Sequence, residues 1–417
     1  MKAVRIHEDG GPEVLRHEDA PDPVPGTGQV LIELRAASLN HLDVWVRKGL
    51  PSVPKPRILV PQNLGSAVLV NPDRLHPGTI FHMDAVELEH LAHELGMDVV
   101  GATPAEPYEE TERHIRERKD RGFFADMRFT MAQPEVSCHP EALLEGARTV
   151  VSAAYCYYTP EPGLGEGEGR LARYTWHDGY AVLRERLDEL GRRLGGEYRV
   201  LVDANQHVDR EAAARAGVGF YGKNTMLITR RHGSWVVLGT LVTTAAVEAT
   251  PPLALDCGSC TLCIDACPTG ALDEPGLVDS TKCLSYWTQA PAAIPEGYRA
   301  ELGAQVYGCD ICQDVCPWNR GIEKRRADDS VPTGAEPHVR LTDWLQGDDV
   351  SLTQRYERLY VPKNDTRYLR RNALVALGNT GGLGDLPLAA PFLESDDELL
   401  REQAEWTVAR IEERHVG

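Results

Sequence analysis

Apolar residues recur along this chain with two periods, and the switch between them organises it. In Gln29-Val30-Leu31-Ile32-Glu33-Leu34-Arg35-Ala36 every second residue is apolar, after a Pro- and Gly-rich loop from Pro21 to Gly28, which predicts a strand. From Asp84 the period lengthens: Val86, Leu88, Leu91 and Leu95 share one side of a helix that Gly96 stops. A short strand at Val99 to Gly101 follows, then a helix from about Tyr108 to Lys119. Further strands are predicted at Thr149 to Ala154, Tyr198 to Val202, Met226 to Thr229 and Ser234 to Thr240, with helices at Ala181 to Leu194 and Asp209 to Ala216. This alternation predicts an α/β or α+β domain. Near the C-terminus Arg367 to Gly378 and Leu399 to Glu413 form an amphipathic helix pair around a loop from Gly381 to Pro387.

That pair resembles one HEAT-like repeat, too short for a solenoid and so expected to lean on what precedes it. The 417 residues, 42% hydrophobic, suffice for about two to four domains. No apolar run approaches the roughly 20 residues of a membrane span, and Met1 to His7 has no apolar leader core, so a cytoplasmic protein without a membrane partner is expected. A net charge of -19 argues against a protein that coats nucleic acid. A local stripe of Lys324, Arg325, Arg326, Arg355, Arg358, Lys363, Arg367, Arg370 and Arg371 could still track phosphates of an RNA hairpin with a splayed-out base. A solvated helix face, balanced by Asp396, Asp397, Glu398 and Glu402, explains it equally well.

The ten cysteines change the picture most. Eight lie between Cys257 and Cys316, in Cys-x-x-Cys units too tight for easy mutual bridging, so ligation in a reducing compartment is expected rather than a disulfide framework. Cys257-x-x-Cys260-x-x-Cys263-x-x-x-Cys267-Pro268 matches the bacterial ferredoxin run, in which three thiolates hold one cluster and the fourth holds another. The second block, Cys309-x-x-Cys312-x-x-x-Cys316-Pro317, is one cysteine short, and Cys283 can supply it. The spacing therefore assigns Cys257, Cys260, Cys263 and Cys316 to one [4Fe–4S] cluster, and Cys267, Cys283, Cys309 and Cys312 to a second. Paired zinc knuckles share the Cys-x-x-Cys spacing, but the three-cysteine run and the Cys-Pro closing each block are cluster features. Cys138 and Cys156, beside predicted strands, are expected to be buried small hydrophobes.

The segments Gly122 to Met127, Glu145 to Val150, Ala172-Arg173-Tyr174, Val202-Asp203, Asp209 to Ala213, Arg215 to Asn224, Gly233-Ser234-Trp235, the cysteine module and Tyr307-Gly308-Cys309-Asp310 resemble the epoxyqueuosine reductases, from about Asp84 to the C-terminus. The resemblance implies a cobalamin bound between the α/β domain and the cluster domain. It also implies reductive removal of an epoxide oxygen from a modified base in a tRNA anticodon loop, with electrons from a low-potential donor. It places Asp203 where the family keeps its proposed proton donor, a role that suits a departing oxygen in need of a proton; a turn or helix-entry carboxylate is the plainer reading. Met127 and Ser285 are further expected cofactor contacts. Gly217-Val218-Gly219-Phe220-Tyr221-Gly222 satisfies the dinucleotide pattern G-x-G-x-x-G, but follows a helix and leads into a strand, the wrong context. Close approach to a planar corrin explains Gly217, Gly219 and Gly222 better, with Lys223 and Asn224 as polar contacts to its amides or phosphate; a tight turn with a solvated lysine is the alternative. Where many members carry Asp-Tyr-His after the Ala-Arg-Tyr motif, this chain keeps Tyr180 and lacks the histidine, and the usual Gly-Pro after the aspartate is missing. Both departures mark a divergent branch.

The first sixty residues resemble the N-terminus of the medium-chain quinone oxidoreductases and alcohol dehydrogenases, through Met1-Lys2-Ala3-Val4, Gly11-Pro12-Glu13-Val14-Leu15 and Ala37 to Asp43, but only to about Pro61. A partial domain of that size is expected to be a fusion remnant or start-site artefact of marginal stability, with Met83 a natural start. The expected fold class is thus α+β, in five parts: a β-rich partial dehydrogenase-like fragment (1–61), a linker (62–82), an α/β cobalamin-binding reductase domain (83–250), a ferredoxin-like domain with two [4Fe–4S] clusters (251–325) and a helical HEAT-like region (326–417), working as a monomer. Two alternatives stay open: the same cofactors acting on a small substrate, as in reductive dehalogenases, and a non-catalytic electron-transfer module. Salt-sensitive tRNA binding separates the first reading from both.

Overall fold

The computed structural model describes residues 82–127, 131–204 and 206–416 and, ahead of them, the backbone of five strands. The chain divides into two units, Met1–Ile80 and Phe81–Gly417. In the first, β1 (Lys2–Ile6) pairs antiparallel with β2 (Leu15–Asp19), β3 (Val30–Leu34) is the strand expected from the alternating pattern, and β4 (Arg57–Pro61) completes a sheet ordered β2-β1-β4. β5 (Ser66–Val70) pairs antiparallel with β3, so the stretch read as a linker contains ladder structure. The motif residues Gly11 to Val14 and Ala37 to Asp43 lie outside the described residues.

The second unit opens with β6 (His82–Met83) and α1 (Ala85–Glu94). Asp84 caps this helix: its carboxylate accepts the Glu87 N–H at 2.8 Å, and the Glu87 carboxylate accepts the Asp84 N–H at 3.2 Å. In chain order come β7 (Val99–Pro104), α2 (Glu109–Asp120), β8 (Thr149–Cys156), β9 (Glu168–Leu171), α3 (Gly179–Leu194), β10 (Tyr198–Val202), α4 (Asp209–Arg215), β11 (Phe220–Tyr221), β12 (Leu227–Ile228), β13 (Val236–Thr243) and β14 (Ala246–Val247). The main sheet is ordered β10-β13-β8-β7 with every neighbouring pair antiparallel. The domain expected to be α/β is therefore α+β, because alternation of element types along a chain fixes neither strand direction nor strand order. The central strands β8 and β13 are buried along nearly their whole length, which is why they read as apolar runs without a polar face. Leu183, Leu187 and Leu190 of α3 seal one side of this sheet.

A smaller sheet joins the regions that the sequence separated. Its strands are β15 (Gln305–Tyr307), from the cysteine module, β9, from the α+β region, and β16 (His338–Arg340), from the C-terminal region, in the order β15-β9-β16. One apolar core likewise runs from Leu171 and Trp176 through Val306 and Tyr307 to Trp344, Leu374 and Ile411. Regions that share a sheet and a core are not independent folding units.

Between residues 284 and 416 the helices that matter to the site are α5 (Leu284–Gln289), α6 (Leu341–Gln346), α7 (Asp349–Arg355), α8 (Arg367–Thr380), α9 (Leu386–Leu393) and α10 (Glu398–Val416). α9 occupies ground expected to be partly loop: Pro387 starts it and Pro391 interrupts it, and together they hide its helical period. α8 is buried along most of its length against α10 and the module. No helix among the described residues is long and apolar enough to cross a membrane.

Arg371 on α8 is fully buried, and its guanidinium donates to the carbonyls of Trp287 (2.9 Å), Thr288 (3.2 Å), Ala290 (2.6 Å) and Ala292. Burial lowers its pKa to about 9, so it stays cationic at neutral pH. The charge caps the C-terminal end of α5, where a cation meets the helix dipole. Arg371→Met is expected to cost about 3 kcal/mol or more, since several buried carbonyls lose their donor at once. Urea unfolding followed by tryptophan fluorescence, compared with a surface substitution such as Arg113→Met, checks this.

Candidate functional site

Two groups of sulfurs are assembled from both ends of the module. Cys257, Cys260, Cys263 and Cys316 line one cavity with Lys223, Asn224, Ile228, Pro317 and Trp318. The hairpin of β11 and β12 closes one side of it, with Phe220 edge-on to Trp318 at 5.1 Å. The Lys223 N–H points at Cys257 Sγ (3.4 Å), a contact of the kind that tunes cluster potentials. A mononuclear zinc site would draw its ligands within about 2.3 Å of one point. Among the described residues no three His, Cys, Asp or Glu side chains converge in that way, and the sulfurs ring a cavity instead.

The other group shows itself through its electrostatics. Burial pushes the Cys283 thiol up, with Cys267 adding to the rise. Burial raises Cys309 to about 12, helped by Cys283, Asp310 and Cys267. Cys312 is raised well above the ordinary thiol value, by burial first and then by Cys309 and Cys283. Thiols packed together in this way are poor thiolates by themselves and need a cationic partner to ionise, which is the chemistry of an iron site. Cys138 and Cys156 lie apart, buried in the core.

Beside this second group is a recess. β10 ends at Val202, and Asp203 follows in the left-handed region at φ 49°, a strained conformation for a residue other than glycine. The Arg184 guanidinium donates to the Val202 carbonyl at 2.8 Å and fixes the turn. Asp203 keeps a solvent-exposed surface, yet burial raises its pKa, against the opposing pull of Arg184 and with help from Asp178. Tyr221 behaves alike: it is 44% exposed, while burial drives its phenol far up. A side chain that keeps accessible area while protein crowds around it stands in the wall of a recess. Tyr174 and Tyr180, both partly exposed, stand beside it and the buried Tyr307 backs them, for burial raises each of them and the charge of Asp203 acts on all three. Asp209, also raised by burial, links Asp203 to Tyr221.

The recess borders the second sulfur group through Asp310. This buried carboxyl, raised to about 6 by burial, accepts the Arg173 N–H at 2.7 Å and Gln313 Nε2 at 2.8 Å, and its charge acts on Tyr174, Cys309 and Cys312 alike. The Ala172-Arg173-Tyr174 motif thus serves two sides: Arg173 braces the second cysteine block, pairing with Asp314 at 2.8 Å, while Tyr174 faces the recess. Tyr307 Oη lies 2.9 Å from the Tyr360 carbonyl and 3.2 Å from Gln289 Oε1, and Gln289 Nε2 lies 3.3 Å from Ser285 Oγ. Ser285 therefore reaches the recess wall through Gln289. The Gly122 to Met127 segment, with Met127 half-buried, is held to the same helix by the Tyr286 hydroxyl on Asp126 (2.5 Å).

Several expected site residues have other duties. Gly217 is the left-handed stop of α4 (φ 66°), and a Cβ there would lie 2.3 Å from the Pro251 carbonyl. Gly219 and Gly222 are crowded by Ile228 and, at Gly222, by Asn224, so it is the protein's own chain that fills the space expected for a corrin. Lys223 Nζ donates to the carbonyls of Gly258 (2.8 Å) and Cys260 (3.0 Å), and Asn224 Nδ2 reaches Cys312 O (3.5 Å). Both side chains tie the hairpin to the cysteine loops. The basic stripe is largely neutralised: Arg355 and Arg358 pair with Glu336, Arg367 with Asp365 and Asp397, Arg370 with Asp349, and Arg371 is buried. Tyr221, Asp209, Tyr307, Gln289 and Asp310 were not singled out from sequence as site residues, although all of them lie inside segments already matched to the family.

Comparison with known proteins sharpens this reading. Residues 256–319 match the family model of the 4Fe-4S double cluster binding domain, and residues 138–209 match "Epoxyqueuosine reductase QueG, DUF1730". The epoxyqueuosine reductase of Lactococcus garvieae (strain Lg2) is 33% identical over 340 residues, covering 79% of this chain and 96% of that one. The chain belongs to the epoxyqueuosine reductase family. A second member, from Xanthomonas campestris pv. campestris, is 31% identical over 359 residues, 83% of this chain and 99% of its own. The solved structure of epoxyqueuosine reductase from Streptococcus thermophilus superposes with a TM-score of 0.71 at 28% identity, over 79% of this chain and 90% of that one. An epoxyqueuosine reductase crystallised with an epoxyqueuosine-modified tRNA-Tyr stem loop gives 0.69 at 30% identity, over 78% and 89%. The family's α+β fold and its double-cluster domain are thus present here.

Proposed function

We propose that this chain reduces epoxyqueuosine to queuosine in tRNA, with two [4Fe–4S] clusters and a cobalamin as its cofactors and electrons from a low-potential donor. The observation that carries the reading is the juxtaposition of a strained, protonatable aspartate and a buried cysteine group around one tyrosine-walled recess. The reaction takes two electrons and two protons: both carbon–oxygen bonds of the epoxide break, a carbon–carbon double bond forms, and the oxygen leaves as water. Cobalamin, when bound, supplies a strongly reducing cobalt centre fed one electron at a time.

Everything else is the work of the chain. Cys257, Cys260, Cys263 and Cys316 would hold one cluster, and Cys267, Cys283, Cys309 and Cys312 the other. Tyr174, Tyr180 and Tyr221 would offer ring faces for a flat macrocycle and hydroxyls for its amide fringe, with the buried Tyr307 behind them, so the wall suits a corrin chemically. Asp203, its pKa raised by burial, retains its proton to higher pH than an ordinary carboxyl and donates it to the departing oxygen. In the Bacillus subtilis relative, 29% identical with a TM-score of 0.70, an aspartate-bearing catalytic loop is described as swung out of the active site; the turn after β10 that carries Asp203 is the corresponding element in this reading. Tyr180, kept where the histidine of the family's Asp-Tyr-His is missing, lies within the field of Asp203, which supports an unchanged reaction despite that departure. We read α8 and α10, with α9 between them, as a single HEAT-like unit backing the module.

The test is an anaerobic turnover assay with reconstituted clusters, added cobalamin, a low-potential reductant and epoxyqueuosine-bearing tRNA, with nucleosides analysed after digestion. Queuosine is the expected product. No product from protein shown to hold both clusters and corrinoid would refute the reading and move the search to small epoxides and halides.

A further inference from the structure

Next to the recess, between α7 and α8, the turn Tyr360-Val361-Pro362-Lys363-Asn364 is built in a way that packing alone does not require. Lys363 (φ 56°) and Asn364 (φ 53°) are consecutive non-glycine residues in the left-handed region. Strain of this kind persists only where the surroundings hold it, and it concentrates at binding sites. The turn is held at both ends. The Asn364 N–H donates to Val361 O at 2.9 Å and the Asp365 N–H to Pro362 O at 3.1 Å, while the Tyr360 carbonyl accepts the Tyr307 hydroxyl from the recess wall. Just upstream, Arg358 donates to Thr175 O at 2.6 Å and pairs with Glu336 at 2.9 Å, fastening the turn to the motif that carries Tyr174.

What this frame presents is an aromatic ring and a cation. Tyr360 is 58% exposed; among the described residues the large apolar side chains left exposed include two aromatics, and the other, Tyr221, belongs to the recess wall. Lys363 is exposed and has no carboxylate partner among the described residues, whereas Arg355, Arg358, Arg367 and Arg370 around it are all paired.

We propose that this turn docks the RNA substrate: the Tyr360 ring stacks on an unpaired base flanking the modified nucleotide, and Lys363 meets the adjoining phosphate. The inference rests on the proposed tRNA substrate and adds a contact residue for it. One ring and one free cation match the face of a single nucleotide and its phosphate, the elements by which single-stranded RNA loops are held. They are too few to track a duplex and present too little apolar surface for a stable protein partner. On a chain of net charge -19, a single uncommitted lysine beside the recess also places the contact where the reacting base must enter.

The experiment uses the reconstituted holoenzyme and an epoxyqueuosine-bearing anticodon stem loop, with Kd from fluorescence anisotropy and KM and kcat from turnover. Tyr360→Ala is expected to raise Kd and KM by about 5- to 100-fold, the range of a lost base–aromatic stack, with kcat within about twofold; Tyr360→Phe should restore both. Lys363→Gly relieves the strained backbone, so it should raise the thermal midpoint while weakening RNA binding and reducing its salt dependence by about one phosphate contact. Unchanged Kd in both variants would overturn the proposal, and so would a fall in kcat at constant KM in Tyr360→Ala, which would signal a structural role through Tyr307. If the wild type binds the stem loop without converting it, the proposed reaction fails while the Kd series still decides the docking turn. A wild type that does not bind RNA refutes both.

Discussion

Asp203→Asn is expected to lower kcat by about 10²- to 10⁴-fold, the usual worth of a positioned general acid, with cluster content and RNA affinity unchanged. Asparagine keeps the size and polarity of the side chain and tolerates the left-handed backbone at φ 49°, so only the dissociable proton is lost. The pH dependence follows from the direction of the shift. Burial raises the folded-state pKa of Asp203 above its ordinary value. The stabilisation this gives is fully present below the unfolded carboxyl pKa and is lost as pH rises through the raised folded value. Ionised Asp203 therefore costs stability at neutral pH, and Asp203→Asn should unfold at an equal or slightly higher temperature than the wild type there. Turnover by the wild type should fall as pH climbs past the folded pKa. A variant that loses activity together with stability would point to a merely structural aspartate.

Cys316→Ala and Cys267→Ala should each abolish turnover and cut bound iron from about eight to about four atoms per chain, but they should spare different clusters. Cys316 shares a cavity with Cys257, Cys260 and Cys263, while Cys267 acts electrostatically on Cys283 and Cys309. Removing Cys316, at the far end of the module, should therefore leave the same electron paramagnetic resonance signal as removing Cys260. Removing Cys267, only four residues after Cys263, should leave the other. If instead Cys267→Ala and Cys263→Ala spare the same cluster, ligation follows the two sequence blocks and the crossed allocation is wrong.

The double-cluster module was legible in the sequence because ligand spacing is a local property, and Cys283 was the one remaining thiol inside the module that could complete a second set. Helices and strands with strong periodicity, such as α3 and β8, were legible for the same reason. The antiparallel direction of the main sheet was not, since hydrophobic period carries no information on pairing. Asp203 emerged only through a resemblance, because neither its left-handed backbone nor its crowding can be read from the sequence. The recess wall was only partly in reach: Tyr174 and Tyr180 sit close together in one stretch, but Tyr221 and Tyr307 come from separate segments, and no window along the chain joins them. The basic stripe stayed open between a phosphate track and a neutralised face because its partners Glu336, Asp349 and Asp397 lie some 19 to 30 residues from the arginines they neutralise. The glycines of the G-x-G-x-x-G run misled: they are needed, but for the chain's own crossings.

The crossing of ligands between the two cysteine blocks also sets a timetable for biosynthesis. When the ribosome has delivered Cys267, the nascent chain holds three of the sulfurs that line the first cavity and a single member of the second group. The first cavity gains its fourth wall only with Cys316, and the small sheet that clamps the module waits for the strand at residues 338–340. A chain stalled or cut before that point would present unpaired thiols and no complete pocket for iron, so cluster loading is expected only after residue 340 has emerged, with shorter chains open to oxidation.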